Sequence, residues 1–202
     1  MKTEGRLFGK ALVGGRGEGY VVKLKEVKVD GDIFSQLEKI SKELKSGEDV
    51  ISQFVAGLLE DELFKERLRK VLELGFDVET SIKLAIKPLI DRLKSENPQF
   101  AYRAQEIEDI FSQLGYISLF NFEGGKNYIF VGDTLSVALA LKLKKEGFKG
   151  CILKHLKRDS HSALILSNAG IPTVVGIDPE NFKEGEYLYL DGDLGVVSRE
   201  PI

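Results

Sequence analysis

With a single cysteine, Cys151, the chain can form no internal disulfide and no thiol cluster around a metal. A reducing, cytoplasmic setting is the expectation. Charge of one sign is also missing. Lys and Arg number 29 against 32 Asp and Glu, a net −3 that exerts no general pull on nucleic acid or an anionic membrane. No stretch approaches the roughly 18 uninterrupted apolar residues of a membrane span, and Met1 to Arg6 lacks the apolar core of a signal peptide. Histidine is scarce as well. His155 and His161 have no carboxylate or cysteine at ligand spacing, so no metal site is predicted. What is present is ordinary globular material, 43% hydrophobic and 30% charged over 202 residues. That length suffices for one large domain or two small ones with real cores.

Three zones separate by period. Residues 6 to about 26 read as extended, with a glycine-rich bend at Gly14-Gly15 before Tyr20-Val21-Val22. From Asp30 the period turns helical and stays so to about Gly115, with Asp32 an expected N-cap. One apolar stripe runs through Ile33, Leu37, Ile40 and Leu44. A second runs from Val50 past Glu60-Asp61 to Leu72, a third contains Pro88, and a fourth starts near Pro98. Four or five short-linked helices follow. Beyond Lys126 the texture is strand, helix, strand, helix, strand, closing on a hairpin at Asp191-Gly192-Asp193. The expected architecture is an α/β domain from residues 1–29 and 116–202, with a helical insert at 30–115.

The stretch Asp159-Ser160-His161-Ser162-Ala163-Leu164-Ile165 places a histidine at the start of a short apolar helix. A Gly170-Ile171-Pro172 turn then leads into the β-branched strand Thr173-Val174-Val175. The positive end of a helix favours the neutral, nucleophilic imidazole and receives anions on its free amides. Phosphoryl transfer to histidine needs such a nitrogen, with cations nearby. Lys154, His155, Lys157 and Arg158 precede it and are candidates for that role, and Asp159 is a candidate to hold the far ring N–H. Ser160 and Ser162 do not make a hydrolase triad, because sequence neighbours do not present a nucleophile and its base. The glycine string Gly14 to Gly19 is no phosphate loop, since neither a Gly-Lys-Ser/Thr nor a helix follows it.

These residues resemble the Ser-His-x-Ala/Ser-Ile…Ile-Pro-x-Val-Val-Gly signature of phosphohistidine swivelling domains in phosphoenolpyruvate-utilising enzymes. The whole chain is similar to the N-terminal half of enzyme I of the phosphoenolpyruvate–sugar phosphotransferase system. Gly9-Lys10-Ala11-Leu12-Val13, Leu58-Leu59-Glu60-Asp61-Glu62, Arg103-Ala104 and Asp191 to Val197 carry that likeness. The resemblance implies an α/β swivelling phosphohistidine domain with an inserted all-helical subdomain. It implies phosphotransfer through His161, with Ser160 and Asp159 beside it and Lys157 and Arg158 near the phosphate. It also implies an HPr-like phosphocarrier docking near Leu58, Leu59, Glu60 and Glu62. No cofactor is expected in this chain. Magnesium and phosphoenolpyruvate would belong to a separate barrel-bearing protein, and a monomer is the expected state.

The chain departs from that pattern at the site. The family's Gly-Gly-x-Thr-Ser-His reads Leu156 to His161 here, and its helix arginine is Ser167. A second class of function therefore stays open: a diverged, non-catalytic adaptor that keeps the fold and binds a carrier or other partner protein.

Overall fold

In the computed structural model, residues 5–23, 32–96, 98, 101–117 and 125–202 are described. They fall into two compact units, one from within 1–25, 121–135 and 139–202, the other from within 26–120 and 136–138. The sequence boundary expected at 29/30 lies outside the described residues.

The first unit is built on one eight-stranded sheet in the order β1-β8-β7-β3-β4-β5-β6-β2. The strands are β1 (Arg6–Phe8), β2 (Lys10–Val13), β3 (Arg16–Lys23), β4 (Tyr128–Gly132), β5 (Gly150–Leu153), β6 (Thr173–Val175), β7 (Tyr187–Asp191) and β8 (Val196–Ser198). β3 through β6 are parallel neighbours, and β7, β8, β1 and β2 pair antiparallel. β1 and β2 lie at opposite ends of this order, yet Gly9 alone separates them in sequence. Three consecutive Cα atoms span no more than about 7 Å, so the two ends of the sheet must meet. The sheet closes on itself.

Gly9 marks the meeting point. Its N–H donates to the Gly195 carbonyl at 2.8 Å. A Cβ there would stand 2.5 Å from the Val175 carbonyl oxygen and 2.7 Å from Val174 Cγ1. No residue but glycine fits between β8 and β6. Val21, Ile129, Val131, Ile152, Val174, Leu188, Leu190 and Val197 pack as one cluster, with Leu7 against it. On each strand they share one parity, so they form one face of the closed sheet. Residues of the other parity on the parallel strands, Phe130, Cys151 and Leu153, are buried too. Burial on both faces explains why these strands read as continuous apolar runs.

The second unit contains α1 (Ile33–Lys45), α2 (Val50–Glu60), α3 (Glu62–Glu73), α4 (Val78–Glu96) and α5 (Ala101–Ile117). The expected N-cap is present: the Asp32 carboxylate accepts from the Phe34 amide at 3.0 Å. The stripe expected to run on past Glu60 is instead two helices. Asp61 takes an extended ψ of 126° and its carboxylate accepts from the amides of Leu63 and Phe64. One side chain thereby ends α2 and starts α3. Their core joins Leu37, Ile40, Val55, Leu59, Phe64, Leu68, Ile86, Ile107 and Ile110. Among the described residues, no helix is long and apolar enough to cross a membrane.

Gly9→Ala is expected to destabilise the sheet by about 2–4 kcal/mol, because the added carbon would meet the Val175 backbone carbonyl and the packed Val174 and Ile177 side chains. Gly57→Ala in α2, where an added Cβ meets nothing within 4 Å, should be neutral or stabilising by up to ~1 kcal/mol. Chemical denaturation with amide exchange in β6 and β8 measures the difference; equal effects would contradict the closure.

Candidate functional site

The site grows out of the carboxyl ends of the parallel strands, where α/β sheets place their ligands. After β5 the chain is pinned between the ends of its two neighbours. The amides of Lys154 and His155 donate to the carbonyls of Gly132 and Asp133 at 3.1 and 2.8 Å, and the Gly176 amide donates back to Leu153 at 2.9 Å. The Lys154 ammonium lies 3.4 Å from Asp178. The Glu180 amide, with Lys154 adding to it, holds the Asp178 carboxyl below the usual carboxylate range. Lys154 thus has a carboxylate partner of its own.

α6 (Val137–Lys145) having preceded β5, the chain then turns into α7 (His161–Asn168). Ser160 is its N-cap and works in both directions. Its Oγ accepts from the Ala163 amide at 3.2 Å and donates to the Lys157 carbonyl at 2.7 Å. The next hydroxyl, Ser162, is buried and donates to the Leu135 carbonyl at 2.8 Å. These two serines are occupied in fixing the helix start, which leaves His161 exposed on the first turn. At the far end Gly170 takes φ +66°, and Ile171 donates to the Leu166 carbonyl, closing the helix and delivering the chain to β6.

Beside α7 lies a groove of about 270 Å³, lined by Leu12, Val13, Arg158, Asp159, Ser160, Ala163, Leu164 and Ser167. Its β2 wall is irregular. The register with β6 shifts between Ala11 and Val13, a bulge that leaves one residue over. The Arg158 guanidinium donates to the Ala11 carbonyl in that bulge at 2.9 Å. Arg158, Asp159 and Ser160 therefore share the groove with Ser167, while His161 and Lys157 are not part of its lining. Lys157, His155 and Asp159 are exposed on the loop.

The expected docking edge needs correction. Leu59 is 2% exposed and belongs to the helical core, as position and stripe require, so it offers nothing to a partner. Leu58 packs partly against that core. Glu60 is drawn back onto its own unit by the Lys45 ammonium at 2.6 Å and by Ser41 Oγ at 2.9 Å, and these bonds, that of Lys45 foremost, hold its carboxyl below the usual range. Glu62 is exposed and paired with Lys65 at 3.0 Å. Leu63, 47% exposed, is the apolar residue at this corner that the sequence reading passed over.

Against known proteins, residues 124–195 match the family "PEP-utilising enzyme, mobile domain". The chain is 25% identical over 184 residues to the phosphoenolpyruvate-dependent phosphotransferase system protein of Salmonella typhimurium, covering 83% of this chain and 24% of that one. It is 32% identical over 75 residues to multiphosphoryl transfer protein 2 of Escherichia coli, 36% of this chain and 9% of that one. Two solved structures share the fold. One is the N-terminal domain of Enzyme 1 - Nitrogen, with TM-score 0.56 and 18% identity over 96% of this chain and 94% of that one. The other is an NMR structure of Enzyme I, with TM-score 0.65 and 17% identity over 95% of this chain and 91% of that one. The chain shares the fold of the enzyme I N-terminal domain, and a stretch in its C-terminal half is similar to the mobile domain of PEP-utilising enzymes. The chain spans about a quarter of the length of the Salmonella protein.

What the sequence reading missed at this site is the β2 wall. Leu12 and Val13 border the groove from a strand nearly 150 residues away from Arg158, and no local pattern announces a bulge. Elsewhere, burial pushes the Cys151 thiol far up, so it stays protonated and is no nucleophile.

Ser160→Ala should cost about 1 kcal/mol of α7 stability, the usual loss of a capping oxygen. Faster amide exchange at Ala163, with strand amides unchanged, is the expected reading; no change at Ala163 would contradict the cap.

Proposed function

We propose that this chain passes a phosphoryl group through His161, to or from an HPr-like phosphocarrier. The observation that supports this most is the placement of His161: exposed, first residue of α7, at the carboxyl ends of the parallel strands, with its flanking serines committed to the backbone. In the transfer a ring nitrogen of His161 attacks phosphorus in line. One N–P bond forms as the carrier's N–P bond breaks, and the carrier's nitrogen keeps that electron pair. The first-turn amides and the guanidinium of Arg158 act on the charge of the phosphoryl oxygens, with Lys157 adding to the field. Arg158 takes over from the helix arginine that Ser167 replaces. Asp159 and Ser160 position the loop. Glu62 and Leu63 form the exposed part of the docking edge, with Leu58 behind them.

Phosphoenolpyruvate and magnesium would be handled by a separate barrel-bearing protein or domain. Among the described residues, no three His, Cys, Asp or Glu side chains come together as metal ligands. The setting is cytoplasmic on this reading. The adaptor reading draws on Ser167 and Asp159, an uncharged group and a carboxylate bordering the groove. On it, the carrier or another partner protein binds and no phosphoryl group moves.

Incubation with a phosphorylated HPr-type carrier separates the two. Wild type should gain an acid-labile, base-stable phosphoryl group by intact mass. His161→Ala should gain none, and Arg158→Ala should gain it roughly 10²-fold more slowly. Labelling of His161→Ala at the wild-type rate would overturn the proposal. Carrier binding without label on any variant would establish the adaptor.

A further inference from the structure

A second groove, of about 300 Å³, lies at the opposite end of α7 from His161. It is lined by Arg16, Lys144, Gly147, Phe148, Lys149, Ala169, Gly170, Ile171 and Pro172. Three cations reach it from three separate elements: β3, the last turn of α6 (Val137–Lys145) and the entry to β5. The lining contains no carboxylate. We infer that this groove binds a small organic anion, with phosphate or carboxylate groups on an apolar body, independently of the chemistry at His161.

Lysines near helix ends often serve only to complement the last carbonyls. Here the backbone does that work. The amides of Gly147 and Phe148 donate to the carbonyls of Lys144 and Leu143 at the end of α6. Those of Ala169, Gly170 and Ile171 donate to Ile165, Ser167 and Leu166 at the end of α7. Among the described residues Lys144 and Lys149 form no ion pair, and the nearby Glu146 is engaged by Lys142 at 3.7 Å.

Charge balance favours an anion. Each helix end contributes about −0.5 charge, and Asp191 adds a full unit through its 3.1 Å contact with Arg16 Nε. Three cations outweigh that total. Arg16 is held in place by Asp191 and by the Ile202 carbonyl, yet its side chain is 68% exposed. The floor has a different character. Phe148, Ile171 and Pro172 are buried, with Pro172 packed close to Gly15. A cationic rim over an apolar floor suits a ligand with both kinds of surface, and the volume is at the lower end of small-molecule sites, roughly 300–1,000 Å³.

The test uses the full chain and two probes, phenyl phosphate and phthalate, which distinguish phosphate from carboxylate. Binding is followed by amide chemical shifts. Wild type should bind at least one probe, with the largest shifts at Gly147, Lys149 and Gly170. Lys144→Glu and Lys149→Glu should each weaken it roughly 30-fold, since a screened contact at 4 Å is worth ~1 kcal/mol, reversal roughly doubles it and about 1.4 kcal/mol is tenfold. Lys87→Glu, the same charge change on the exposed side of α4, should leave it unchanged, as should Arg158→Ala. Weakening by Lys87→Glu as strong as by Lys144→Glu would mean a bulk-charge effect and overturn the site. So would binding lost only in Arg158→Ala, or no binding to wild type at millimolar probe.

Discussion

The α/β unit depends on one shared strand. Residues Arg6–Phe8 pair with β8 and residues Lys10–Val13 pair with β6, so a single extended segment joins both ends of the sheet. Gly9, where the segment changes partner, has room for no side chain. Closing the sheet encloses one face as a core and fixes the position of β6, the strand into which α7 delivers the chain. The bulge in β2 belongs to the same constraint. A strand that must serve two partners absorbs the mismatch in register as one extra residue, and that residue's neighbour offers its carbonyl to Arg158.

The same closure organises the polar groups at the hairpin. The buried Asp191 accepts from the amides of Asp193 and Leu194 and from Arg16. Asp193 in turn accepts from the Gly15 amide at 3.1 Å. A buried carboxylate is tolerated only when its lone pairs are used, and here they fasten the β7–β8 turn to the start of β3. Rigid strand ends then support short loops. Residues 154–160 carry the candidate chemistry on backbone hydrogen bonds to Gly132, Asp133 and Gly176 rather than on packing. The proposed phosphotransfer asks for that combination: an exposed nucleophile on a helix whose origin cannot drift.

Much of this was legible from residue pattern. Asp32, the Gly170-Ile171-Pro172 turn, the buried strands at 128 and 150 and the hairpin at 191 each follow from local chemistry, and the structure has them. The break at Asp61 was missed because apolar spacing carries across it; only the capping geometry of its carboxylate separates α2 from α3. Leu59 was read as a surface residue because its motif was weighed above its place in the stripe that buries Val55 and Leu59 together. The split of β1 and β2 between opposite sheet ends lay beyond local reading. Nothing in Arg6 to Val13 says that the partner changes at Gly9, since that depends on strands more than 150 residues away. Arg158 was named as a candidate from charge, but the Ala11 carbonyl that anchors it is a consequence of the same long-range pairing.

With only two histidines in the chain, the central claim has a direct readout. After phosphorylation by an HPr-type carrier, imidazole nitrogen shifts and phosphorus–nitrogen couplings assign the phosphoryl group to one ring nitrogen. The account predicts a single new phosphorus resonance coupled to a His161 nitrogen, with the His155 ring unchanged. A phosphoryl group on His155, or on a side chain other than histidine, would contradict it.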